Sequence, residues 1–377
     1  MSHFLHIFPT FATGGSQVRT VKIVNHLGSR YRHTFVAVDG DFSAAARIDR
    51  GIDFDCRECP RTTNPIAMAA RLRGIMARVR PDLVLTYAWG AIDGVTAALV
   101  PPRFPVIHTE DGFGIEESER QIPRRVLFRR YILRSAYRVV APSRTLVEIM
   151  SGTWKLRPET IAYIPNGVDL NKFAPSEKRP EDVVTIGAIA QLRPEKRIGL
   201  LLEAFGAAAR GRNLRLRIAG DGPDRSELER KAEALGVAER VEFLGHVDDV
   251  AAVYRSLDIV ALTSSTEQMP LCVLEGMAAG LPVASTDVGD VRNMVSAANG
   301  PFLVKDAGLT DALGRLADSA ELRAQIGRAN RDRCCAEYEI GAMYGAWERL
   351  YTAAMTRGGA KRAEPLPQPL CDRDGIR

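Results

Sequence analysis

Short apolar runs alternate with longer amphipathic stretches along nearly the whole chain, and this pattern constrains the fold more than any other feature. Alternation of this kind is what parallel sheets covered by helices require. In the first half it predicts strands at Phe4–Phe8, Thr34–Val38, Leu83–Tyr87, Val106–His108 and Arg138–Ala141. Helices are predicted at Val18–Leu27, Ile66–Arg80, Ile92–Val100 and Arg124–Ser135. The pattern lapses at IPNGVDLNKFAPSEKRP, from Ile164 to Pro180, where Asn-Gly, prolines and mixed charge read as an interdomain connection. It then restarts, with strands at Val183–Ala190, Leu214–Ala219, Val241–Leu244, Asp258–Thr263 and Pro282–Ser285. The helices of this half are Ile198–Ala209, Asp224–Leu235, Asp249–Ser256, Leu271–Ala279 and much of Leu322–Met355. A chain of 377 residues accommodates two cores, and two similar doubly wound halves imply a cleft between them. From Gly358 the chain loses its apolar period and reads as a disordered tail.

Charge is unevenly spread. Residues 1–180 hold 26 Lys/Arg against 17 Asp/Glu, whereas the whole chain has a net charge of only +5. An anionic partner for the first half is expected. Nucleic acid is disfavoured, because the basic residues are not interleaved with stacking aromatics. A membrane surface or a phosphorylated acceptor fits better. The helix within RQIPRRVLFRRYILRSAYR, residues 120–138, carries arginines around an apolar side of Val126, Leu127, Tyr131 and Ile132, as a helix lying on an anionic membrane would. An ordinary core-packed helix with a charged outer face accounts for it as well. No window approaches eighteen apolar residues and the start lacks a charged leader, so the expected location is cytoplasmic, peripheral on the membrane if this helix binds it.

Of six cysteines, Cys56 and Cys59 form a C-x-x-C, but Cys334 and Cys335 are adjacent and supply the second half of a zinc site poorly. Unbridged thiols are the better reading.

The most informative stretch is SSTEQMPLCVLEGMAAGLPVAST, Ser264–Thr286, between two strands. Ligands of open α/β sheets sit beyond the carboxyl ends of strands, where such loops meet helix starts. Pro270 suits a first helical turn, which would offer unpaired amides and a positive dipole end to an anion. Glu275 lies in an otherwise apolar or small helix, where an unpaired carboxylate would cost on the order of several kcal/mol. It should therefore face a polar cavity, where a vicinal diol such as a ribose could donate to both oxygens, or else pair with an arginine. Glu267, eight positions earlier, could equally be a solvated surface acid.

The E-x7-E spacing, the GMAAGLPV run, IPNGVD at Ile164 and GDGP at Gly220 together resemble glycosyltransferase family 4, the retaining family with the GT-B fold. The resemblance runs to about Met355. It implies two Rossmann-like domains facing across a cleft: residues 1–165 on the acceptor side, with a C-terminal helix at about 341–357 packing back on them, and residues 166–340 binding the donor. It gives Glu267 contacts to the donor sugar and Glu275 the ribose, with main-chain amides near Met269, Leu271 and Cys272 at the diphosphate or sugar. Thr13-Gly14-Gly15-Ser16-Gln17 resembles the glycine loop that approaches the pyrophosphate, although Gly14 and Gly15 alone would equally suit a plain turn. His108, at a strand end, resembles the histidine near the reacting anomeric carbon. Glu110 and Asp111 follow it and are candidates for acceptor hydroxyls.

Charge accumulates on the leaving diphosphate and calls for cations. Lys196 in GAIAQLRPEKRI matches the family lysine, but Gln191 stands where the arginine is usual, with Arg193 as the candidate replacement. Asp-x-Asp, the metal-holding spacing of the other common transferase fold, occurs at Asp39/Asp41, Asp53/Asp55 and Asp372/Asp374, all outside the expected donor domain or in the tail. No metal or other cofactor is expected. The resemblance thus implies transfer from a nucleoside diphosphate sugar to a glycan or lipid-linked acceptor in polysaccharide or glycolipid assembly. A nucleotide-sugar epimerase or phosphorylase, or a non-catalytic donor-binding subunit, remains as an alternative. A nicotinamide dehydrogenase is disfavoured because no strand is followed by G-x-G-x-x-G.

Overall fold

Runs such as FLHIF, LVLTY and IVAL are too short for helices and have no polar face to give to water, so they pair as strands buried on both sides. The computed structural model describes residues 1–117, 120–176 and 183–356 and divides into two units, Met1–Ile164 with Tyr344–Arg377, and Pro165–Met343. The expected tail lies outside the described residues.

The first unit contains β1 (Ser2–Phe8), α1 (Gly15–Leu27), β2 (Tyr31–Ala37), β3 (Phe54–Glu58), α2 (Pro65–Val79) and β4 (Leu83–Tyr87). It continues through α3 (Asp93–Leu99), β5 (Val106–Thr109), α4 (Pro123–Ile132), β6 (Arg138–Ala141), α5 (Arg144–Gly152) and β7 (Ile161–Tyr163). The sheet is parallel, in the order β3-β2-β1-β4-β5-β6-β7. The winding reverses between β1 and β4. Two of its strands were not anticipated: β3, FDCRE, has no apolar run because it is an edge strand, and β7 has only three residues.

In the second unit the order is β8 (Val184–Ile189), α6 (Ile198–Ala208), β9 (Leu214–Ala219), α7 (Arg225–Ala234), β10 (Val241–Gly245), α8 (Val250–Arg255) and β11 (Ile259–Leu262). Then follow α9 (Leu271–Ala278), β12 (Val283–Thr286), α10 (Val291–Met294), β13 (Leu303–Val304), α11 (Leu309–Asp318) and α12 (Ala320–Glu337). The last helix, α13 (Ile340–Thr356), belongs to the first unit from Tyr344 onward. The parallel sheet runs β10-β9-β8-β11-β12-β13, reversing between β8 and β11. Neighbouring residues of β11 serve opposite faces. Ile259 and Ala261 pack with Leu201, Phe205 and Leu313, while Val260 and Leu262 pack with Val273, Leu274 and Met277. Both faces are thus covered, and α9 is held against the face that Val260 and Leu262 present.

The arginine-rich helix α4 packs differently from its sequence expectation. Val126 and Ile132 do turn to the core, but Leu127 and Tyr131 are 53% and 61% exposed, and Arg129 is fully buried in their place. The reason lies outside the helix: Glu117 accepts both terminal nitrogens of Arg129, at 3.0 and 3.1 Å, which compensates the buried guanidinium. Among the described residues no helix is long and apolar enough to cross a membrane.

Candidate functional site

The reversal between β8 and β11 places the loop after each strand side by side, and the fold brings Lys196 and Glu267 together there from 71 positions apart. Lys196 Nζ donates to Glu267 Oε1 at 2.6 Å, and Ser264 Oγ donates to the same oxygen at 2.7 Å. Burial pushes the Lys196 ammonium down, but the Glu267 carboxylate outweighs it and the lysine titrates above its ordinary value. The two loops are tied through their backbones as well. Thr263 Oγ1 donates to the carbonyl of Lys196, and the Ser265 amide to that of Glu195.

Two glycine positions allow this geometry. At Gly289 φ is +56°, and a Cβ there would stand 2.2 Å from the Glu267 carbonyl oxygen. At Gly220, φ +135°, a Cβ would lie 1.8 Å from the carbonyl oxygen of Ala190. The GDGP motif therefore acts as a close-packed support beneath the loop that carries Gln191, Arg193 and Lys196. Gln191 and Arg193 are both exposed, and their side chains make no hydrogen bond or ion pair among the described residues.

Pro270 stands at the N-cap of α9, not in its first turn, and offers no side-chain hydrogen bond to the amides that follow. Leu271 and Cys272 open the helix, so the first-turn amides present a positive end. Met269 is fixed from the IPNGVD segment: Asn166 Nδ2 donates to its carbonyl at 3.0 Å and the Asn166 amide lies 3.1 Å from its sulfur. Burial first, and then the neighbouring Glu267, push the Cys272 thiol up to about 12, so it is a neutral group here. Glu275 is half-buried, and the Tyr254 hydroxyl donates to it, lying 3.1 Å from Oε2 and 3.0 Å from the Cys272 carbonyl. Burial and then Glu275 hold the Tyr254 phenol well above its usual value, which keeps it a donor.

In the first unit, Gly14 caps α1 with extended backbone and Gly15 opens it; a Cβ on Gly15 would meet nothing within 4 Å, so the space above this turn is open. His108 is the penultimate residue of β5 with its ring buried, and its Nδ1 lies 2.8 Å from Thr86 Oγ1. Asp111 receives a bidentate pair from the buried Arg19 at 2.6 and 2.8 Å, and Glu110 is buried. Neither carboxylate is an open surface group. Of the Asp-x-Asp candidates, Asp55 accepts from Thr34 and Arg57 and Asp41 from the Ser43 amide; Asp372 and Asp374 lie outside the described residues. Among the described residues no group of three His, Cys, Asp or Glu side chains could hold a metal ion.

Sequence reasoning missed Ser264, Tyr254, Asn166, Arg19 and Arg129. Asn166, inside IPNGVD, and Ser264, three residues before Glu267, stood within motifs the sequence marked; Tyr254, Arg19 and Arg129 are set by partners from other elements.

Two parallel doubly wound units, with loops gathered where the strand order reverses, define a GT-B architecture. Residues 13–172 match the family model described as Glycosyltransferase Family 4, and residues 181–319 match that of Glycosyl transferases group 1. The chain belongs to glycosyltransferase family 4. Among relatives, the putative glycosyltransferase EpsF of Bacillus subtilis (strain 168) is 28% identical over 55% of this chain and 56% of its own length. The D-inositol 3-phosphate glycosyltransferase of Geodermatophilus obscurus is 27% identical over 77% of this chain and 70% of its own. The chain thus spans little more than half the length of the first of these relatives. Anabaena HepE, solved in complex with UDP, superposes with a TM-score of 0.79 at 18% identity, covering 94% of this chain and 100% of that one.

Proposed function

We propose that this protein is a retaining, metal-independent glycosyltransferase that moves a sugar from a nucleoside diphosphate sugar to an acceptor hydroxyl in polysaccharide or glycolipid assembly. The observation that carries the reading is the Lys196–Glu267 pair at the strand reversal, beside the uncapped start of α9. Lys196 and the amides of Leu271 and Cys272 suit a diphosphate, Glu267 a sugar hydroxyl, and Glu275 a ribose. Arg193, exposed and unpaired among the described residues, is the second cation in place of the arginine that Gln191 replaces. Gly14 and Gly15 approach the pyrophosphate, and His108 serves the reaction centre. Lys196 supplies the leaving-group charge that a metal would otherwise provide, and the leaving phosphate takes the acceptor's proton, so no covalent nucleophile is needed.

The structural neighbour HepE was solved with UDP and with UDP-glucose, which makes uridine donors the first to try. A ligand of the native state at a hundred times its Kd adds about 2.7 kcal/mol of stability and raises Tm by several degrees. Thermal shifts with UDP-, GDP- and ADP-sugars should therefore single out one base. Glu275→Ala should abolish that shift, and Glu267→Ala should keep binding while impairing turnover. Near-wild-type behaviour of both variants would sink the assignment. Conversion of donor without acceptor would instead identify an epimerase, and binding without transfer or hydrolysis a donor-binding subunit, the reading that Gln191 favours.

The exposed face of α4 supports an anionic membrane as a partner, with Leu127 and Tyr131 set among Arg120, Arg124 and Arg134. The protein should co-sediment with phosphatidylglycerol-rich vesicles and not with neutral ones. Leu127→Ser with Tyr131→Ser should reduce that fraction at least several-fold; an unchanged fraction removes α4 from the account.

A further inference from the structure

Four of the buried polar atoms of the first unit that lack a hydrogen bond among the described residues lie together, on His108, Glu110 and Arg129. Glu110 follows β5, and neither carboxylate oxygen has a hydrogen-bond partner among the described residues. Its Oε2 lies 3.9 Å from His108 Nε2 and 3.5 Å from Arg129 Nε, and both nitrogens are likewise buried without a hydrogen bond. Arg129 is locked in place. Besides its fork onto Glu117, its guanidinium lies over the rings of Trp89 at 4.8 Å, Trp154 at 5.0 Å and Phe113 at 5.4 Å. A cation fixed there compensates a carboxylate that could not otherwise be buried. On the other side of the imidazole, Thr86 Oγ1 is 2.8 Å from Nδ1. A hydroxyl donating to Nδ1 leaves the ring proton on Nε2, the nitrogen that faces Glu110.

We propose that Glu110, held by the caged Arg129, is a positioning residue that fixes the ring orientation and the Nε2–H tautomer of His108. The inference rests on the transferase reading, in which His108 serves the reaction centre. It replaces the acceptor role for Glu110, whose oxygens do not reach solvent. The chain His108–Glu110–Arg129–Glu117 then links the end of β5 to α4 through charge and not through apolar packing alone.

Glu110→Gln keeps the shape of the side chain and removes its charge. It should lower kcat roughly ten- to hundredfold, a share of what a positioned proton-transfer group contributes, while donor KM stays unchanged. In histidine selectively labelled with ¹⁵N, the His108 resonances, assigned by their loss in His108→Ala, should depart from the Nε2–H pattern. A merely structural role would move neither the tautomer pattern nor kcat without KM. Should Glu110→Gln fail to fold, Glu110→Asp retains the charge at shorter reach and should show an intermediate kcat and a partly shifted pattern. Wild-type kcat and tautomer in whichever variant folds, alongside an inactive His108→Ala, would overturn the inference. A fully active His108→Ala would instead overturn the transferase reading of His108 itself.

Discussion

Lys196→Ala is expected to lower kcat by about a hundred- to a thousandfold, the loss that follows removal of one preorganised charge from a transition state, about 2.7–4 kcal/mol. The lysine sits where the proposed diphosphate leaves, at the reversal of the second sheet, and its ammonium is already charged and aimed because Glu267 holds it at 2.6 Å. Removing it also leaves Glu267, whose side chain is 12% exposed, with the Ser264 hydroxyl as its remaining hydrogen-bond partner among the described residues, so the proposed sugar contact is disturbed together with the phosphate contact. Lys196→Arg keeps the charge but cannot reproduce a compact ammonium on a single oxygen, and should recover only part of the rate. Steady-state kinetics across the two variants, with Tm measured in parallel, provides the check. A Lys196→Ala enzyme within threefold of wild-type kcat would remove this residue from the mechanism.

The halves of that pair were unequally legible in the sequence. Glu267 and Glu275 stand out through their spacing and through the apolar company of Glu275, which a short helix, α9, places by local geometry, while Glu267 stands in the loop before it. Lys196 could be marked only by resemblance, since its partner lies 71 residues on and meets it only when β8 and β11 become neighbours. The central strands were readable because burial on both faces demands continuous apolar runs, whereas the edge strand β3 alternates polar residues and left no such mark. The reading of α4 shows the limit most clearly. Amphipathic periodicity puts Leu127 and Tyr131 with Val126 and Ile132 on one apolar side, for a membrane or for the core, and the arginines around it. For Arg129 two carboxylates and three aromatic rings reverse that placement, and those partners come from three separate stretches of the chain, at Trp89, at Glu110 to Glu117 and at Trp154.

The histidines of the first sheet carry the second large effect, which concerns stability. His6 on β1 and His33 on β2 are buried with their rings joined, His6 Nε2 to His33 Nδ1 at 3.0 Å, while His6 Nδ1 lies 3.0 Å from the Tyr87 hydroxyl. Burial, followed by the neighbouring histidines, holds His6 well below its ordinary 6.5, and burial, followed by His3, brings His33 down to about 4. Each therefore binds a proton more readily in the unfolded chain than in the folded one. Stability is fully present above pH 6.5 and declines as the pH falls from 6.5 toward 4. By pH 5 the His33 site alone should have lost about 2 kcal/mol, with His6 adding in the same direction, a large part of the 5–15 kcal/mol that typically separates folded from unfolded states. All three tryptophans, Trp89, Trp154 and Trp347, belong to this unit, so urea unfolding followed by tryptophan fluorescence at stepped pH reads its stability directly. His33→Gln cannot take up the proton and should flatten the slope between pH 6.5 and 5 by up to one proton. A wild-type stability that stays level from pH 7.5 to 5, or that rises on acidification, would mean that the two rings are not held neutral by the fold.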